Sequence, residues 1–115
     1  MNIKKGCNLA NISPQIMYAC GVIETLYKAR YQRCVFTSFT EGTHGTASLH
    51  PKGMAVDIRT YTLTAGEGDS LFAEIKHALD PLGFDTVDER GGKTGGHFHV
   101  EWDPKVGEKW LTEVP

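Results

Sequence analysis

Ser48-Leu49-His50-Pro51-Lys52-Gly53-Met54-Ala55-Val56-Asp57-Ile58-Arg59-Thr60 changes character at Gly53. Before it the chain is a loop, running from Thr40 to Pro51 and rich in Gly, Thr and Ser. After it, Met54 to Thr60 reads as a strand. Side chains alternate across a strand, so Ala55, Asp57 and Arg59 share one face and Met54, Val56 and Ile58 the other. The apolar face needs a partner layer. The other face carries a carboxylate between apolar neighbours, which needs a cation or several donors. Gly53 lets the loop turn sharply and bring His50 back over the strand.

Working outward, Cys34-Val35-Phe36-Thr37-Ser38-Phe39 is rich in β-branched and aromatic residues and predicts a strand just upstream. Ser13-Pro14 opens a helix, serine as N-cap and proline at the first helical position. Ile16, Cys20, Ile23 and Tyr27 form its buried stripe, and the spacing ends it near Tyr31. Downstream, Thr64 to Asp69 reads as a loop. Asp69 or Ser70 caps a second helix with Leu71, Phe72, Ile75, Ala78, Leu79 and Leu82 on one side, closed by Pro81 and Gly83. Phe84 to Val87 is a short strand, Asp88 to Gly96 a glycine-rich hairpin or loop, and His97 to Trp102 the last strand. Trp110 and Leu111 in the tail are expected to pack back. The order is helix, strand, strand, helix, strand, strand. Short connections favour a small antiparallel sheet with both main helices on one face, an α+β arrangement. The 115 residues suffice for one domain, 1–115, with a real core.

Composition narrows the class. The chain is 40% hydrophobic and 23% charged with a net charge of -2, so nothing draws it to nucleic acid or to a membrane surface. Neither is expected as a partner, and a monomer is expected. Cys7, Cys20 and Cys34 are odd in number and fit no zinc or redox spacing; Cys20 and Cys34 read as small core residues. Free thiols suit a reducing compartment, and Met1-Asn2-Ile3-Lys4-Lys5-Gly6 leads into no apolar segment, so cytoplasmic synthesis without a signal peptide is expected.

The last strand holds the second chemical signal. His97, His99 and Glu101 lie two apart and share one face, while Phe98, Val100 and Trp102 face the core. A His-x-His pair alone fits a solvated face equally well. With His50 and Asp57 added, the chain offers imidazoles and a carboxylate that suit one divalent cation. Mixed imidazole and carboxylate ligation is compatible with zinc and with several other metals. The bland alternatives are a structural Asp57 paired with Arg59 or backbone donors, and a solvated His50.

Ser48-x-His50-x-x-Gly53-x-Ala55-x-Asp57, followed by His97-x-His99 on a strand, resembles the zinc D-Ala-D-Ala carboxypeptidase and L-Ala-D-Glu endopeptidase family. The wider group includes lysostaphin-type peptidases and the hedgehog signalling domain. The upstream strand ending Thr37-Ser38 also fits, and the similarity runs from about Ile12 to Trp102. The resemblance implies a hedgehog/peptidase-like fold, one zinc ion held by His50, Asp57 and His99, and a fourth position open for water. It implies that His97 stands beside the metal as a catalytic residue and that the substrate is a peptidoglycan stem peptide. Release by phage lysis, carriage in a virion, or a cytoplasmic dipeptidase would each suit such a chain.

Two departures stand out. Many members of that family carry a carboxylate base three residues before the last zinc histidine, where this chain has Gly96. Glu89 is the first candidate to replace it, with an ordinary exposed loop glutamate as the alternative; Glu101 is a candidate to orient a ligand histidine from behind. Members that cleave a free C-terminus follow the serine strand with an arginine, where this chain has Phe39-Thr40-Glu41. That leans away from carboxypeptidase specificity, toward endopeptidase action or an unusual substrate. The rival reading is a zinc-stabilised binding domain without activity, or a phage structural component. His44 and His77 read as solvated, and Tyr61 as a residue that could border a cleft.

Overall fold

The computed structural model describes residues 1–40, 53–91 and 96–102. The elements in chain order are β1 (Asn2–Ile3), α1 (Pro14–Ala29), β2 (Val35–Ser38), β3 (Ala55–Arg59), α2 (Ala65–Leu79), a 3-10 turn (Asp80–Leu82), β4 (Phe84–Asp88) and β5 (His97–Trp102). The expected helices and strands are there, in the expected order. The sheet is not wholly antiparallel. Its order is β1-β2-β3-β5-β4, and β1 joins β2 in parallel, which makes it mixed. Two residues carry no periodicity, so β1 leaves no pattern to read.

One cluster forms the core. The α1 stripe of Ile16, Cys20, Ile23 and Tyr27 meets Leu71, Ile75 and Leu79 of α2, and both meet Phe36, Val56, Ile58, Phe84, Phe98, Val100 and Trp102 of the sheet. Both helices therefore cover one face of the sheet. Cys20 and Cys34 belong to this cluster, and burial pushes each thiol up to about 12, helped by the negative charge of Glu24. They are packing residues, as expected.

Three local features differ from the sequence reading, each for a physical reason. First, α2 starts at Ala65 and not after Asp69. Thr64 and Glu67 form a capping box, with Thr64 Oγ1 accepting from Glu67 N and Glu67 Oε1 accepting from Thr64 N. Gly66 and Gly68 disguise this turn as loop. Gly68 leaves room for the Arg90 guanidinium, which lies 1.9 Å from where a Cβ would stand.

Second, α1 ends at Ala29, short of Tyr31. Tyr31 has left-handed geometry at φ 57, and the N–H groups of Tyr31 and Gln32 donate to the carbonyls of Lys28 and Tyr27 at 3.0 Å. This is a Schellman turn with tyrosine where glycine is usual.

Third, β2 carries a bulge. Phe36 pairs with Ile58 but Ser38 pairs with Asp57, so one extra residue is absorbed between them. Strict alternation would send Ser38 inward and Phe39 outward. Instead Ser38 lies toward the Asp57 face and Phe39 is fully buried, its ring 5.8 Å from that of Phe36.

Candidate metal centre

The face of the sheet turned away from the helices carries the chemistry. Asp57 pairs with His99, and Arg59 with His97, in the β3–β5 register; Val87 pairs with His99 in the β4–β5 register. Apolar alternation sets this arrangement. Burying Val56, Ile58, Phe98 and Val100 forces their neighbours to the opposite side.

Asp57 and His99 meet directly. His99 Nδ1 lies 2.8 Å from Asp57 Oδ1, and its Nε2 lies 3.2 Å from Glu101 Oε1. Both ring nitrogens thus face carboxylate oxygens, and the side chains of Asp57 and His99 are each only 15% exposed. Burial works to lower the pKa of His99. The hydrogen bond and charge of Asp57, with the charges of Glu101 and Glu89, outweigh burial and leave it raised.

Glu89 reaches the same spot from β4. Its backbone N–H donates to the His97 carbonyl at 2.9 Å, extending the ladder past Asp88. Its Oε1 lies 3.2 Å from His97 Nε2 and 3.9 Å from His99 Nδ1. His97 Nε2 is in turn 3.9 Å from Asp57 Oδ2. Glu89 owes its aim to its neighbours. Asp88 and Arg90 turn to the helix side, where the Arg90 guanidinium binds Asp88 through Nε at 2.9 Å and Nη2 at 2.7 Å. It also binds Asp69 and the Ala65 carbonyl, and lies over the Phe98 ring. The Asp88 carboxyl is held below its ordinary range chiefly by this hydrogen bonding.

Gly96 explains the departure noted in the sequence. A Cβ there would sit 2.7 Å from the Arg90 carbonyl oxygen and 2.8 Å from its Cα. Both obstacles are backbone, so position 96 has no room for a carboxylate-bearing side chain. The neighbouring strand brings the Glu89 carboxylate to the cluster instead.

The donor set fits a divalent cation. Asp57, Glu89 and His97 each offer an atom within 4.8 Å of the others, and His99 Nδ1 lies 2.8 Å from Asp57 and 3.9 Å from Glu89. Glu101 on Nε2 leaves Nδ1 as the atom of His99 that faces Asp57. His50 lies outside the described residues, as do His44, Trp110 and Leu111. Gly53 takes φ +71 with its backbone against the Asn11 carbonyl, consistent with a sharp turn there. His77 is exposed on α2.

A cleft of about 330 Å³ adjoins this cluster, lined by Lys4, Thr37, Ser38, Asp57, Arg59, Tyr61, Gly96 and His97. Tyr61 does border it. Lys4 carried no signal in the sequence, because it reaches the cleft only through the parallel pairing of β1 with β2; Lys4 N donates to Phe36 O at 2.9 Å. No protein-family model, curated protein or solved structure matches the chain.

Proposed function

We propose that this chain is a zinc-dependent peptidase acting on peptidoglycan stem peptides, with Asp57 and His99 holding one zinc ion together with His50. The observation that carries the reading is the approach of Glu89 to both imidazoles, 3.2 Å from His97 and 3.9 Å from His99, beside Asp57. When bound, the metal supplies Lewis-acid polarisation of a substrate carbonyl and acidifies water. The protein supplies the rest. Glu89, with its side chain 44% exposed, is accessible to accept a proton at Oε1 and pass it to a leaving amine. His97 holds Glu89 through Nε2 and, when protonated, donates toward developing negative charge. Glu101 fixes the ring of His99. The likeness of Ser48 to Asp57 and His97 to His99 to zinc peptidases of the cell wall supports the substrate class. Phage-mediated release to the wall fits the same reading.

The test is hydrolysis of synthetic stem peptides by zinc-loaded protein, with metal content measured alongside. Glu89→Gln and His97→Ala are expected to lose about 10²–10⁴ in turnover, and their zinc content tells a proton-transferring role beside the metal (zinc retained) from a ligand role (zinc lost). Asp57→Asn and His99→Ala are expected to lose the zinc itself. Full zinc occupancy without turnover on any stem peptide would sink the enzyme in favour of a zinc-stabilised binding domain.

A further inference from the structure

Tyr61 stands between two clefts. One adjoins the metal cluster. The other, of about 550 Å³, opens between the start of α2 at Ala65 and the side chains of Asp69, Asp88 and Arg90. That size is within the range of small-ligand sites, roughly 300–1,000 Å³. Gly96 lines both clefts, so they meet there. A turn closed by the Leu63 N–H, which donates to the Thr60 carbonyl at 2.9 Å, holds Tyr61 out with 73% of it exposed. The Arg59 guanidinium covers one face of the ring, 4.9 Å from its centre. Arg59 lines the first cleft and not the second, which leaves the other face of the ring to the second. The opposite wall is charged but compensated. Arg90 Nη2 donates to Asp69 Oδ1 and, at 2.7 Å, to Asp88 Oδ2. A lone anion would meet the two carboxylates and a lone cation the guanidinium, so the wall favours an uncharged ligand rich in hydrogen-bonding groups. Arg90 engages one oxygen of Asp69, whose side chain is 75% exposed, and the second oxygen remains an acceptor.

We propose that this second cleft is a sugar subsite, in which Tyr61 stacks on a pyranose of the glycan strand that carries the stem peptide and Asp69 accepts from its hydroxyls. A pyranose ring presents weakly positive C–H groups on a face and hydroxyls around its rim. The C–H face matches the negative face of an aromatic ring. The hydroxyl donors match carboxylates that an arginine holds in place and keeps ionised. A bare peptide offers neither a rigid C–H face nor a rim of hydroxyls. Gly96, common to both clefts, directly precedes His97, so a peptide joined to a sugar in the second cleft enters the first beside the metal cluster. The proposal rests on the peptidase reading for the sugar being that of the cell wall; sugar binding itself does not depend on turnover.

The experiment is an amide chemical-shift titration of the full chain without zinc, so that no probe is consumed, with hydrolysis by the zinc-loaded chain scored separately. The probes are di-N-acetylchitobiose, a muramyl pentapeptide, and the same pentapeptide without its sugar. The muramyl peptide is expected to bind about tenfold or more tightly than the bare peptide. It and the disaccharide should both shift the amides of Tyr61, Ala65, Asp69 and Gly96. Tyr61→Ala should abolish the preference, and Tyr61→Phe, which keeps the ring, should retain it. At 73% exposure neither change removes core packing. Equal binding of the two peptides, or a preference that survives Tyr61→Ala, overturns the subsite, and hydrolysis of both peptides alongside that result leaves the peptidase reading in place. A sugar preference without hydrolysis of either peptide leaves the subsite standing and removes the peptidase.

Discussion

Each reactive residue is held by something unreactive beside it. Glu89 is aimed by the clamp on Arg90, Gly96 gives up its side chain to let that clamp close, and His99 is pinned between two carboxylates. The His99 arrangement has a pH consequence. With both nitrogens against carboxylates, the metal-free ring keeps its proton above the ordinary histidine range. That charged pairing stabilises the metal-free protein at low pH and is lost as pH rises through the raised pKa. On the proposed ligand set, zinc would have to displace the same proton from Nδ1. Zinc affinity is therefore expected to weaken as pH falls, by about tenfold per unit, starting above the usual histidine titration. Competition titrations at a series of pH values check this. A dissociation constant that stays flat through the titration would remove His99 from the ligand set.

At the scale of elements, the strands bearing the cluster were the most legible. Period-two alternation in Ala55–Arg59 and His97–Trp102 needs only a buried face, so the placement of Asp57 beside His99 followed once the strands paired. The features that escaped depend on contacts distant in sequence. The start of α2 hid behind Gly68, a residue required by Arg90 twenty-two positions on. The bulge in β2 has no residue signature of its own, and Lys4 joins the cleft only through a two-residue strand. The end of α1 offers a direct measurement. Tyr31 is 99% exposed and left-handed at C′, so its side chain contributes no packing while its Cβ is strained. Tyr31→Gly is expected to stabilise the protein by about 0.5–1 kcal/mol after the entropy of glycine is counted. Thermal unfolding of the pair reads this as a rise of a few degrees, and a fall would mean that Tyr31 is held by contacts of its own.

The whole molecule divides into two jobs by sheet face. Among the described residues, one face and both helices form an apolar core without any cation, and the other face gathers Asp57, Glu89, Glu101 and two imidazoles. No described helix is long and apolar enough to cross a membrane. Because the core is complete without a metal, the fold should survive its removal. Chelator is expected to remove the mass-action contribution of a bound ligand to stability, about 4 kcal/mol at a thousandfold excess of zinc over its dissociation constant, seen as a lower melting temperature, and to leave the far-ultraviolet spectrum folded at room temperature. Collapse of that spectrum on chelation would make the ion a structural requirement.

The bulge at Thr37 and Ser38 makes β2 sensitive to length more than to lettering. Many residue types could occupy those two positions, since a strand backbone accepts most of them. Excising the extra residue would restore an unbroken ladder and keep the serine hydroxyl over the polar floor and the Phe39 ring inside, whereas one more residue there would turn the serine into the hydrocarbon layer and the ring out. An insertion, which surface loops absorb, would at this point exchange the inside of the protein for its outside.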